Sequence, residues 1–113
     1  MKKEFLYLHN SELTQICVGL FSIILNFAET SISISLENDI FIDGKIVWKH
    51  GDKMKYDSSL FSLLGNKIEQ CFIENNNFYL YLSSTQLCCS IKLNGYETGS
   101  INCEGLGIFI IGK

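Results

Sequence analysis

The chain contains no arginine and no proline. Its nine basic residues are all lysine, and twelve acids leave a formal net charge of −3. Arginine is the planar fork that reads guanine edges and grips phosphates, and non-specific nucleic-acid binding needs a dense positive surface. Nucleic acid is therefore not an expected partner. Only residues 45–55 are basic: Lys45, Lys49, Lys53 and Lys55 against Asp52 give +3, leaving −6 for the remainder. That stretch reads as a solvated hairpin end. With neither proline nor a Ser/Gly-rich stretch to form a linker, the 113 residues are expected to make one domain spanning 1–113. The 47% hydrophobic content is ample for a core and excludes disorder.

Long uninterrupted apolar runs are also missing. The stretch ELTQICVGLFSIILNF (12–27) comes nearest, but Gln15, Gly19, Ser22 and Asn26 interrupt it. A membrane helix needs about 20 predominantly apolar residues. A secretion signal needs an apolar region directly after its basic start, and Glu4, His9, Asn10 and Glu12 break that pattern. No membrane partner is expected, and a cytoplasmic location follows as the expectation. The five cysteines (Cys17, Cys71, Cys88, Cys89, Cys103) are odd in number and never spaced C-x-x-C. Neither a disulfide framework nor a zinc site is expected, and the cysteines read as small core residues. Adjacent strand residues face opposite ways, so Cys88 and Cys89 are poorly placed to share a metal.

What the chain has in quantity is period-2 alternation. Phe21, Ile23, Leu25 and Phe27 alternate with Ser22 and Asn26, and Gly19 divides 12–27 into strands over roughly 13–18 and 20–27. In TSISISLEN (30–38), Ile32, Ile34 and Leu36 point one way and the serines the other. DIFIDGKIVWK (39–49) is a hairpin turning on Asp43-Gly44, a favoured type I′ pair. Its Trp48 is expected in the core with Ile46 on the same face and Val47 opposite. Leu60, Leu63 and Leu64 switch to helical spacing, which predicts one short helix near 58–64, with Gly65 in the left-handed C-terminal position. Three meander strands follow over 67–74, 78–83 and 87–93, then short strands over 100–103 and 107–112, the last at a sheet edge. The fold class is mainly β: a two-layer antiparallel β-sandwich, or a flattened barrel.

Catalytic motifs are absent. His9 and His50 have no partner at metal spacing, and no nucleophile elbow, Walker loop or dinucleotide loop occurs. GLGIF (105–109) is followed by no helix-forming segment. A metal, a cofactor and an enzymatic activity are not expected. Two acids brought together by the fold would revive a hydrolase, and a lined cavity between the sheets would favour a small-ligand scaffold. Tyr79 and Tyr81 share the face opposite Phe78, Leu80 and Leu82. They read equally as interface anchors and as a solvent-side cross-strand pair.

Four segments resemble a known family. Glu12-Leu13-Thr14-Gln15-Ile16-Cys17-Val18-Gly19 fits a pattern E-L-x-Q-I-x-x-G. Ile32-Ser33-Ile34 and Leu63-Leu64-Gly65-Asn66-Lys67-Ile68 follow, and Tyr96-Glu97-Thr98-Gly99-Ser100-Ile101 resembles Y-E-S-x-x-I, with Thr98 in place of serine. The family is one of small bacterial β-sandwich proteins that includes immunity proteins of contact-dependent growth inhibition and related polymorphic toxin systems. The resemblance brackets residues 12 to 101 and rests on strand and turn determinants. It implies a protein that binds and covers a cognate toxin domain, most plausibly a nuclease, and that is a monomer when free and a heterodimer with its toxin. Nuclease toxins are usually basic, and an acidic inhibitor meets them faster. The contact candidates are then Asp39, Asp43, Glu74, Glu97 and Glu104, with Tyr79, Tyr81 and Tyr96 as aromatic anchors.

Overall fold

The computed structural model describes residues 2–49, 58–91 and 97–112. The described strands are β1 (Lys2–Glu4), β2 (Gln15–Val18), β3 (Ser22–Asn26), β4 (Thr30–Ser35), β5 (Ile40–Ile42), β6 (Lys45–Trp48), β7 (Ile68–Glu74), β8 (Asn77–Leu82), β9 (Gln86–Ser90), β10 (Gly99–Cys103) and β11 (Gly107–Ile111). Two short 3₁₀ helices, Leu6–Leu8 and Ser58–Leu63, complete the elements. The strands form two antiparallel sheets: a six-stranded one in the order β1-β7-β8-β9-β5-β6, and a five-stranded one in the order β11-β10-β4-β3-β2. The architecture is the expected sandwich, with no closed barrel among the described residues.

Alternation decides which face of each strand is inside. In β3 and β4, Ile23, Leu25, Ile32 and Ile34 are buried while the residues between them are half-exposed. From the other sheet, Phe78, Leu80, Leu82, Leu87, Cys89, Ile40 and Ile42 meet them in one apolar cluster. Both 3₁₀ helices turn buried leucines (Leu8, Leu60, Leu63) into this core. Trp48 is buried as expected, and its indole N–H donates to the Leu36 carbonyl at 2.8 Å, satisfying the ring's one polar atom. Asp43 (φ 52°) and Gly44 (φ 80°) make the tight turn between β5 and β6. Gly99 is required for a different reason: a Cβ there would overlap the Ser33 carbonyl on β4.

The structure departs from the sequence expectations at several points. Phe21 is 81% exposed, although it shares the parity of Ile23. It lies in a tight turn closed by Gly19 N–H donating to Ser22 O at 2.9 Å, so strand geometry begins one residue too late to turn it inward. The expected helix is a 3₁₀ turn. Its three-residue repeat stacks Leu60 on Leu63 and leaves Leu64 44% exposed. In β6, Ile46 is 41% exposed while Val47 and Trp48 are both buried. Ile40 opposes Trp48 but Phe41 opposes Ile46, so Val47 is the extra residue of a bulge. β1 was not expected at all: Lys2-Lys3-Glu4 has no apolar alternation and pairs with β7 by backbone register.

A buried amide fastens the segments at one end of the sandwich. Asn66 Oδ1 accepts from Ser84 N–H (2.9 Å), Ser83 Oγ (3.0 Å) and Ser84 Oγ (2.6 Å). Its Nδ2 donates to the carbonyls of Ser62 (3.0 Å) and Leu63 (3.2 Å). Its own carbonyl accepts from Leu13 N–H at 2.8 Å. One side chain thus ties the second 3₁₀ helix to the β8–β9 turn, while its backbone holds the chain entering β2. Replacing Asn66 with Ala removes five side-chain bonds from one buried position, most of them part-buried. Asn66→Ala is expected to destabilise by about 3 kcal/mol, read as a lower urea midpoint with the slope unchanged.

Cys71, Cys89 and Cys103 are buried and form no disulfide. Burial pushes the Cys71 thiol up from 9.0 to about 12. An acid whose folded pKa is raised stabilises the fold fully below its unfolded value. That contribution drains away as pH climbs from about 9 toward 12, because the unfolded chain ionises first. Denaturant titrations across this window are expected to show stability falling with pH, and falling less steeply in Cys71→Ala.

Candidate functional site

The outer face of the six-stranded sheet carries most of the residues singled out from the sequence. Strand register arranges them in three rows. The central row runs Glu4–Phe72–Tyr79–Cys88–Phe41–Ile46, one residue from each strand. On one side lies Lys2–Glu74–Asn77–Ser90, with Asp39 immediately ahead of β5 at the same end. On the other lies Gln70–Tyr81–Gln86, next to which Asp43 begins the β5–β6 turn. A largely apolar stripe is therefore flanked by polar positions, among them the acids Glu74, Asp39 and Asp43 and the base Lys2. Aromatic residues lie at the centre and polar groups at the rim.

The aromatic centre is packed. Phe72 stacks on Tyr79 with centroids 4.8 Å apart and meets Tyr81 edge-on at 5.2 Å. Tyr79 and Tyr81 are themselves edge-to-face at 6.0 Å. Phe72 is only 5% exposed even though it sits on the outer face, because the two tyrosines and Lys2 cover it. The Lys2 ammonium lies 4.3 Å from the Phe72 ring centre and 3.1 Å from Glu4 Oε1. These contacts hold both tyrosine rings without using their hydroxyls. Cys88, between Tyr79 and Phe41, is half-buried, and burial pushes its thiol pKa up. It is thus a protonated apolar filler of the stripe.

Of the sequence candidates, Glu74, Tyr79 and Tyr81 lie on this face, and Asp39 and Asp43 bracket β5 at its two ends. The Asp43 carboxylate is engaged internally. Oδ2 accepts from Thr85 Oγ1 and Oδ1 from Gln86 N–H, both at 2.9 Å, joining the β5–β6 turn to the β8–β9 turn. Glu97 and Glu104 belong to the other sheet, at opposite ends of β10. Glu97 borders a shallow depression of about 360 Å³ with Phe21, Ser33, Ser35 and Glu37. Glu104 borders another of about 380 Å³ with Asn26, Glu29, Ser31 and Asn102. Both are open hollows on the outer face of the five-stranded sheet, outside the space between the layers. Tyr96 and the His50-Gly51-Asp52 loop lie outside the described residues. Among the described residues, no three His, Cys, Asp or Glu side chains are grouped so as to hold a metal, and no helix is long and apolar enough to cross a membrane.

Phe72, Phe41 and Lys2 complete the surface and are not marked by the sequence, while Cys88, expected in the core, lies half-buried on this face because it is paired with Tyr79. A bulge between Ile68 and Gln70 explains Phe72. Simple alternation from buried Ile68 would carry Phe72 inward, and the extra residue reverses it.

Asp43 separates a folding role from a binding one. Asp43→Ala is expected to cost about 2–3 kcal/mol, because two charge-assisted bonds are lost and alanine resists a left-handed φ. Asp43→Asn tolerates that φ and keeps an oxygen acceptor, so its thermal midpoint should lie much nearer the unsubstituted protein.

Compared with protein-family models, curated proteins and solved structures, the chain matches none.

Proposed function

We propose that this protein is a non-catalytic inhibitor that works by binding another protein, an immunity protein that covers a cognate toxin domain. The observation that carries the reading is the Phe72–Tyr79–Tyr81 cluster with its acidic rim on the outer face of the six-stranded sheet. Rigid, half-buried tyrosines make good anchors because little rotamer freedom is lost when a partner closes over them. Their hydroxyls are left for the partner, since ring packing alone fixes the side chains. Glu74 and Asp39 beside them, with Glu4 paired to Lys2, leave the border with more acids than bases, which suits a basic partner such as a nuclease domain. The sequence resemblance to immunity proteins points the same way and supplies the class of partner.

The test is titration calorimetry with the toxin domain encoded beside this gene, together with an assay of that toxin's activity. One-to-one binding of each chain with loss of toxin activity is expected, with association slowing as salt rises. Tyr79→Ala and Tyr81→Ala should each weaken binding by about 30-fold or more, the scale of an interface anchor. Glu97→Ala, on the opposite sheet, should change it little. Failure of the unsubstituted protein to bind or to protect would end the reading.

A further inference from the structure

The four sheet edges are not alike. β1 carries Lys2, Lys3 and Glu4, and β6 opens on Lys45, so both edges of the six-stranded sheet are charged. β2 is short and opens on Gln15. β11, at the remaining edge, is Gly-Ile-Phe-Ile-Ile, with no charged residue. Natural edge strands are normally protected by lysine, proline or a covering element, since alternate residues direct both backbone groups toward the open side. Here, among the described residues, the outer face has no such protection, and the inner face has only Phe5 and the Lys3 ammonium, 5.0 and 5.7 Å from the Phe109 ring. Ile108, Phe109 and Ile110 are 64%, 36% and 41% exposed, and Leu106 just before them is 66% exposed. The patch continues into the first 3₁₀ helix, where Leu6 is 63% and Tyr7 49% exposed. Phe5 links the two parts: its ring meets Phe109 at 5.0 Å and Tyr7 at 6.3 Å.

In place of the free monomer expected from the sequence, we propose that two copies of this chain join through β11, edge to edge and antiparallel, into one continuous ten-stranded sheet. Three features choose a second copy as the occupant. The centre of the strand, Ile108-Phe109-Ile110, reads the same in both directions. A two-fold axis through Phe109 therefore sets Ile108 against Ile110 of the second copy, and Phe109 against its own equivalent. β-branched and aromatic pairs are favourable cross-strand partners. The strand itself has no charge, so its own side chains oppose no like charges on self-pairing, and the Lys3 ammonium beside it lies over the Phe109 and Phe5 rings. The area reaches the required range: six partly exposed apolar side chains at roughly 100 Å² each offer at most about 1,200 Å² between two copies, the lower end of specific interfaces. The contact is self-complementary and closes at two. It lies on the five-stranded sheet, so the aromatic face of the other sheet stays open for its own partner.

Sedimentation equilibrium of the full chain alone tests this without any toxin, so its result is independent of the inhibitor reading. A species of twice 12.8 kDa is expected, dissociating on dilution. Ile110→Lys should return the mass to 12.8 kDa with an unchanged β-sheet circular dichroism spectrum, while Val18→Lys, on the opposite edge, should leave the dimer intact. Hydrogen exchange of the unsubstituted protein gives a reading free of mutation: the amides of 107–111 should gain protection as concentration rises. A monomer at every concentration, a dimer indifferent to Ile110→Lys, open-ended association, or protection of 107–111 only when a different protein is added would each overturn the proposal.

Discussion

The amide of Asn66 is the junction on which the end of the sandwich depends. A β-sandwich buries its inner faces by alternation alone, but alternation does not tell the layers how to sit at their ends. There, backbone groups leave the ladders and need other partners. Asn66 supplies them from one position, its oxygen serving the Ser83-Ser84 turn and its nitrogen the carbonyls of the second 3₁₀ helix. The pairing of Glu12 with Lys67 and the bonds between Leu13 and residues 65–66 bring the start of the five-stranded sheet to the same place. A local polar network thereby sets the relation between two apolar layers.

With the layers held, the molecule has three surfaces of different character. The outer face of the six-stranded sheet is aromatic and acid-rimmed, and it is stiffened by ring-on-ring packing. The outer face of the five-stranded sheet is a field of short polar side chains (Ser22, Ser31, Ser33, Ser35, Ser100, Asn26, Asn102) around Ile24, with Ile108 and Ile110 at the β11 margin. The β11 edge is apolar and uncharged. The proposed recognition of a foreign protein and the proposed pairing with a second copy fall on different sheets, so neither would obstruct the other.

How much of this could be read in advance follows from how local each signal is. The Ser/Ile alternation of β4 and the Asp43-Gly44 turn are local, and both appear where the sequence places them. Trp48 is in the core as expected, but through the bulge at Val47, since Ile46 at the same parity faces outward. Phe21 and Phe72 are harder: each face depends on where a turn ends or a bulge falls, and one residue of shift inverts the outcome. β1 has no apolar pattern, because it sits at an edge and pairs through its backbone. The aromatic surface was half legible. Tyr79 and Tyr81 are adjacent in one strand, whereas Phe72, Phe41 and Cys88 join them only through the register of neighbouring strands. The acids divide similarly: Glu74 and Asp39 fall beside the tyrosines, while Glu97 and Glu104 fall on the other layer.

The order of strands in the five-stranded sheet has a consequence for the history of each molecule. β2, β3 and β4 follow one another and can zip together as soon as they are made. β10 must then add to the free side of β4, and Thr30 bonds to Cys103 across 73 residues of intervening chain. Closing so long a loop is slow compared with forming a hairpin. On the ribosome, residues 22–35 therefore wait, with the serine-lined edge of β4 open, until residues 99–103 emerge. β5 to β9 are synthesised during that interval and join β1, which preceded it, so the layer against which this one must pack is finished first.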